Sequence, residues 1–248
     1  MTPYFQDADI TLYCGDMREI IPALGLKADA VITDPPYNET KLTWDRWPDG
    51  WPAVAASVAQ QMWCFGTLRM FMDRAPELYA NWKLSHDIIW EKQNGTGIRN
   101  DRFRRVHEQA AHFYQGEWRD VFKDPQYTHD ATKRTIRRQT KPAHWGGIDG
   151  AVHKSEEGGP RLQTSVIYAK NCHGYAIHRT QKPEAIIRPI LRYSVPPGGT
   201  VLDCFAGSGT TLIVAREFGM KAIGIEADEA ACAGIVERLA QAILPLAQ

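Results

Sequence analysis

The chain offers nothing that would hold it in a membrane or in an oxidising space. No stretch of about eighteen apolar residues exists to span a bilayer, and Met1-Thr2-Pro3-Tyr4-Phe5 lacks the charged-then-apolar order of a signal peptide. A cytoplasmic protein with no membrane association is therefore expected. The five cysteines, Cys14, Cys64, Cys172, Cys204 and Cys232, include no C-x-x-C pair. This excludes a disulfide framework and a zinc knuckle and leaves buried or idle thiols. Net charge is missing too: 29 acidic residues balance 29 basic ones, so no overall field draws the molecule onto a polyanion. Any nucleic-acid surface must come from local charge segregation. The eight histidines, His173 and His178 among them, show no helix-spaced pair, and no metal is expected.

What is present suits one sizeable α/β core with an insertion better than two independent domains, given 248 residues. Ile10 to Cys14 has strand composition and ends at the turn Gly15-Asp16. Ala28 to Thr33 is a short apolar run stopped by Asp34-Pro35-Pro36-Tyr37, whose prolines cannot donate to a sheet ladder, so Asp34 stands at a strand's carboxyl end. Gln61 to Phe65, Asp87 to Trp90 and His107 to Tyr114 are further strand candidates, with helix-compatible Ala53 to Ala59 between them. From about residue 115 to 174 glycines and polar residues replace any sustained apolar period, although Thr164 to Ala169 could form a strand; this is the expected insertion. Regular structure returns with Pro183 opening a helix that Pro189 could kink. Thr200 to Phe205 then reads as a buried parallel strand, Thr210 to Phe218 as a helix stopped by Gly219, Ala222 to Ile225 as a strand, and Cys232 to Ile243 as the last helix. The alternation describes a doubly wound sheet.

A strand, then Gly207-x-Gly209, then a helix lets bare backbone approach a ligand. A tight strand-to-helix turn would look the same. Glu226 sharpens the signal: it stands nineteen residues after Gly207 at the next strand's end, where a carboxylate can accept from both hydroxyls of a ribose. The third glycine of a dinucleotide fingerprint is replaced by Leu212, and Asp203 at the pocket mouth would repel a pyrophosphate but attract an ammonium. S-adenosylmethionine is favoured over NAD, and with it an NAD-linked oxidoreductase is disfavoured.

Asp34-Pro35-Pro36-Tyr37 suits chemistry on an exocyclic amine, whose lone pair is delocalised into the base. A carboxylate and a rigid proline carbonyl, each accepting one N–H, stabilise the positive charge that grows on nitrogen as it attacks a methyl group, and Tyr37 can stack on a base taken out of the helix. The order Asp34-Pro35-Pro36-Tyr37, Thr180-Gln181-Lys182-Pro183, then Val201 to Thr211 resembles the amino-methylating DNA methyltransferases of the beta arrangement, in which the catalytic motif precedes the cofactor motif. The likeness spans nearly the whole chain outside the insertion. It implies a Rossmann-like S-adenosylmethionine-dependent methyltransferase fold, one domain over residues 1–248, with a seven-stranded, mostly parallel sheet that has one antiparallel strand. It also implies a target-recognition segment within residues 115–174, and double-stranded DNA as partner; a homodimer is left open.

Residue by residue, the resemblance makes Asp34, Pro35, Pro36 and Tyr37 the catalytic loop. It puts Asp203, Phe205, Gly207 and Gly209 at the methionine end of the cofactor, Glu226 at the ribose and Asp16 at the adenine, with Thr180 and Lys182 also facing the cofactor. Proline is common in the family where Cys204 stands, a change expected to be harmless. Serine commonly replaces the aspartate for cytosine, so Asp34 favours adenine N6. Cytosine N4 methylation and a non-catalytic cofactor- and nucleic-acid-binding regulator are the alternatives.

Within the insertion, Lys133, Arg134, Arg137, Arg138 and Lys141 fall together without an acid and could contact phosphates. A second cluster, Arg99, Arg102, Arg104 and Arg105, is diluted by Asp101 and Glu108. Of Trp44, Trp47 and Trp51, at least two are expected in the core, although aromatics so near the catalytic loop could close over a flipped base.

Overall fold

The computed structural model describes residues 1–96, 100–137, 150, 152–172 and 181–243. They form two compact units, one of Met1–Asp124 with Ser165–Gln248 and one of Pro125–Thr164. In chain order the strands are β1 (Phe5–Gln6), β2 (Ile10–Cys14), β3 (Ala30–Thr33), β4 (Gln61–Gly66), β5 (Lys83–Thr96) and β6 (Arg105–Tyr114). Four follow in the smaller unit: β7 (Tyr127–Ala131), β8 (Arg134–Arg137), β9 (Val152–Ser155) and β10 (Gly159–Leu162). The chain then returns for β11 (Val166–Tyr168), β12 (Thr200–Asp203) and β13 (Lys221–Glu226). The helices are α1 (Met17–Leu24), α2 (Trp51–Ala56), α3 (Leu68–Tyr79), α4 (Glu184–Ser194), α5 (Thr210–Glu217) and α6 (Glu229–Ile243).

The larger unit carries one sheet in the order β1-β2-β13-β12-β3-β4-β6-β5-β11. Strands β2, β13, β12, β3 and β4 are parallel, β6 opposes β4, and β5 opposes β6. This is the seven-stranded core with one reversed strand that the resemblance implies. Two short edge strands extend it, β1 antiparallel to β2 and β11 parallel to β5.

Alternation along the central strands feeds a core on each face. Ala30 and Ile32 of β3 join Ile186, Leu212 and Ile235 of α4, α5 and α6 on one face, while Val31 joins Met17, Ala55 and Met70 of α1, α2 and α3 on the other. A strand buried on both faces has no polar phase, which is why Ala30–Thr33 is apolar except at its last residue. Each fully buried aliphatic side chain stabilises the unit by roughly 1.5–3 kcal/mol.

Helices α1 and α3 were not foreseen, since each carries an internal proline, Pro22 and Pro76, that breaks the helical pattern. Both have side-chain caps: Asp16 accepts from the Arg18 N–H, and the Thr67 hydroxyl accepts from the Met70 N–H at 3.1 Å. Pro189 lies inside α4, which continues through it to Ser194.

The smaller unit is two antiparallel ribbons, β7 with β10 and β8 with β9. It runs from Pro125 to Thr164, inside the expected 115–174. The flanks belong to the larger unit: the Gln115 N–H donates to the Gln60 carbonyl at 2.9 Å, the Asp124 N–H donates to Tyr193 at 2.8 Å, and Val166–Tyr168 pairs with β5. Among the described residues no helix is long and apolar enough to cross a membrane.

Candidate active site

Strands β12 and β3 lie side by side and parallel, but the chain leaves them in opposite directions. From β12 it passes through α5 to β13, and from β3 through α2 to β4 on the other side. Such a parting of connections opens a crevice beyond the carboxyl ends of the strands. Both sequence motifs emerge there. Asp34, Pro35, Pro36 and Tyr37 after β3 line the same cavity, about 580 Å³, as Asp203, Phe205, Gly207 and Glu226 around β12 and β13.

On the β12 side the backbone does most of the positioning. Gly207 and Gly209 have φ of 52° and 72°, in the left-handed region that favours glycine. Gly209 caps α5 rather than lining the cavity, and a Cβ there would stand 2.9 Å from Ile235 Cγ2. Glu226 Oε2 accepts from the Gly207 N–H at 2.8 Å and Oε1 from the Asp228 N–H at 2.9 Å. The carboxylate is thus fixed, and its remaining lone pairs can accept two hydroxyls.

Asp203 corrects the sequence reading: it is not at the mouth but buried, 5% exposed. It accepts from the Thr33 hydroxyl at 3.0 Å and the Phe205 N–H at 3.2 Å. Burial pushes its carboxyl up to about 7, against the pull of the Thr211, Phe205 and Thr33 donors. Phe205 packs edge-on against the buried Trp51, ring centroids 5.5 Å apart.

Asp16, expected at an adenine, stands at the start of α1. Its carboxylate caps α1, accepting from the Arg18 N–H at 2.8 Å, and pairs with the Arg18 guanidinium at 2.5 Å, which lowers its pKa. It neighbours Glu226 through the Gly15 N–H, which donates to the Glu226 carbonyl at 2.8 Å, yet it is outside the cavity lining. Thr180 lies outside the described residues.

On the β3 side, side chains position side chains. Tyr37, expected to stack on a base, donates its hydroxyl to Asp34 Oδ1. Lys182, expected to face the cofactor, lines the cavity, forms an ion pair with Asp34 Oδ2 and lies 3.5 Å from Glu108 Oε2. Lys92 completes the group by pairing with Glu108 Oε1. Burial alone would lower the Lys182 pKa; Asp34 and Glu108 outweigh it and raise it. Burial likewise works to raise Glu108, but Lys182 and Lys92 bring it below the usual carboxylate value.

Lys92 and Glu108 were not foreseen as a site, though a signal existed. Lys92 continues the alternation of Ile88 and Trp90, Glu108 that of Ala110, and Trp90 pairs with Glu108 in the β5–β6 ladder. A charge in phase with a buried face is a flag. Asp45 was also missed: 3% exposed, it accepts the N–H groups of Asn38, Glu39 and Thr40 at 2.8, 3.0 and 2.6 Å. It thereby ties down the loop after Tyr37, where Asn38 turns with φ 58°. Trp47 and Trp51 are core residues, as expected for at least two of the three, and Trp44, 49% exposed, lines the cavity.

Of the basic run in the smaller unit, Lys133, Arg134 and Arg137 are exposed, and Lys154 on β9 joins them opposite Thr135. Arg138 and Lys141, like Arg99 of the second cluster, lie outside the described residues.

A doubly wound sheet with a nucleoside-sized cavity at its switch point, glycines and a fixed carboxylate on one wall and an Asp-Pro-Pro-Tyr loop on the other, defines a methyltransferase class. The chain belongs to the N6/N4 DNA methylase family, whose model matches residues 28–237. It is 24% identical over 253 residues to the type II methyltransferase M.ScaI of Streptomyces caespitosus, covering 92% of this chain and 80% of that one. Among solved structures it superposes on the M1.HpyAVI complex with SAM at TM-score 0.63 and 24% identity, covering 93% of this chain and 99% of that one. It also superposes on the cytosine-N4-specific PvuII DNA methyltransferase at TM-score 0.61 and 14% identity, covering 99% and 90%.

Proposed function

We propose that this chain transfers a methyl group from S-adenosylmethionine to N6 of an adenine flipped out of double-stranded DNA. The observation that carries the reading is the single cavity shared by Asp34 and by Gly207, Asp203 and Glu226. The residues fit the donor: Glu226 is fixed to accept ribose hydroxyls, Gly207 leaves backbone bare, and Asp203 is a buried carboxylate that no cation among the described residues pairs with. An ammonium supplies the missing positive charge. S-adenosylmethionine is the methyl donor, and its sulfonium makes the methyl carbon electrophilic.

On the other wall, Asp34 and the Pro35 carbonyl each accept one N–H of the acceptor amine. They hold its nitrogen toward the methyl group and stabilise the positive charge that appears there until a proton is shed. Phe65 and Ile187 add apolar surface to the same cavity, and a lower local dielectric strengthens the effect. Thr180, outside the described residues, and Asp16, beside Glu226 through Gly15, stay expected cofactor contacts through the resemblance.

Asp34 favours adenine over cytosine N4. The second reading keeps its footing because the cytosine-N4-specific PvuII enzyme has the same fold. Within residues 115–174, the ribbon bearing Arg134, Arg137 and Lys154 supports a target-recognition segment, with phosphates as the ligands of its exposed cations.

The test is incubation of purified protein with S-adenosylmethionine and unmethylated genomic DNA, followed by nucleoside mass spectrometry. N6-methyladenine at a defined sequence is the expected product. N4-methylcytosine would overturn the acceptor, and no methylated base despite cofactor binding would overturn catalysis in favour of the regulator.

A further inference from the structure

The pair Lys182–Asp34 poses a problem for the proposed chemistry. Both oxygens of Asp34 already accept a donor, Oδ1 from Tyr37 and Oδ2 from Lys182. An ammonium on Oδ2 weakens the carboxylate as a partner for the acceptor amine, and it repels the positive charge that must grow on the amine nitrogen. Lys182 therefore has to loosen its hold on Asp34 as the amine arrives. Its side chain is only 10% exposed where it stands, so the shortest move is to another buried group.

Glu108 offers the other place. Among the described residues its buried Oε2 makes no hydrogen bond, only a longer ion pair with Lys182 Nζ at 3.5 Å. Closing that gap to hydrogen-bond length needs a shift of roughly 0.6 Å. Glu108 Oε1 meanwhile holds Lys92, whose side chain is 7% exposed, so the four groups carry two negative and two positive charges and stay neutral wherever Lys182 points.

We propose that Glu108 is a positioning residue for methyl transfer: it receives the Lys182 ammonium as the acceptor amine takes over Asp34 Oδ2, while Lys92 keeps the buried cluster neutral. The exchange swaps hydrogen bonds only. Lys182 keeps its proton and no covalent bond forms or breaks. The proposal rests on the reading of Asp34 as the amine's partner.

The experiment compares parent, Glu108→Gln, the double variant Lys92→Met with Glu108→Gln, and Asp34→Ala, all with S-adenosylmethionine and unmethylated DNA. Single-turnover rate, cofactor affinity, DNA affinity and melting temperature are measured for each. Glu108→Gln should slow the chemical step by about tenfold or more while both affinities stay within about threefold, the pattern of an interaction needed in the transition state. The double variant, in which no buried charge is left uncompensated, should stay as slow. Should Glu108→Gln alone fail to fold, the double variant carries the test. A double variant back at the parent rate would overturn the proposal, because Glu108 would then serve only to neutralise Lys92. So would Glu108→Gln within about twofold of the parent. If Asp34→Ala keeps turnover, the underlying reading fails first; if Asp34→Ala is inactive and Glu108→Gln is not, only the role of Glu108 fails.

Discussion

On the β12–β13 wall of the cavity the key groups are held by main chain: Glu226 by the N–H groups of Gly207 and Asp228, Asp203 in part by that of Phe205. On the β3 wall they are held by other side chains, Asp34 by Tyr37 and Lys182, and Lys182 in turn by Asp34 and Glu108. The first arrangement is rigid, as a binding surface for an invariant nucleoside should be. The second can exchange partners, as a surface that must admit an amine and then support a growing charge should. In the proposed function one wall binds and the other reacts.

Substitutions break this comparison to different depths. Asp34→Ala removes the proposed acceptor of the amine's N–H and should lower the single-turnover rate by about 10²–10³ or more, with cofactor affinity nearly unchanged. Glu226→Gln does the reverse. It replaces the proposed acceptor of ribose hydroxyls, already bound to two N–H groups, and it should weaken cofactor binding by about tenfold or more while bound complexes still turn over. Equilibrium binding and quenched-flow rates separate the two.

Acid titrates the binding wall. Asp203 has a carboxyl raised to about 7, and an ammonium ligand needs it ionised. Cofactor affinity should therefore fall by up to about tenfold for each pH unit below about 7, since the proton must first be displaced. Asp203→Asn should weaken binding and flatten this dependence; a parent whose affinity is level from pH 5 to 8 would show that Asp203 does not hold the ammonium.

The smallest effect belongs to the smaller unit. Arg134→Ala should weaken DNA binding about severalfold and reduce the slope of log affinity against log salt by about 0.9, as one lost phosphate contact would. Cofactor affinity should not change.

What could be read in the sequence follows the same division. The main-chain wall is local: Gly207, Gly209 and Glu226 sit within one strand–helix–strand unit, so spacing alone places them. The Asp34 loop was legible for the same reason, because two prolines stop β3 abruptly. The side-chain wall draws on residues 34, 92, 108 and 182, which only the β5–β6 ladder and the start of α4 bring together. The cap that Asp16 makes was not legible, since a carboxylate after a strand serves equally as a helix cap and as a ligand group, and α1 behind it was hidden by Pro22. The ribbons of the smaller unit left little pattern because neither has a well-buried face; Tyr127, Val152 and Leu162 are all exposed.

The division between walls is tested most directly by measuring cofactor affinity and single-turnover rate on the same preparations of Asp34→Ala and Glu226→Gln. The expected result is a crossed pattern, with Asp34→Ala binding cofactor like the parent and transferring almost nothing, and Glu226→Gln binding weakly but transferring once saturated. An Asp34→Ala variant that loses cofactor affinity as severely as turnover, or one that still methylates DNA near the parent rate, would contradict it.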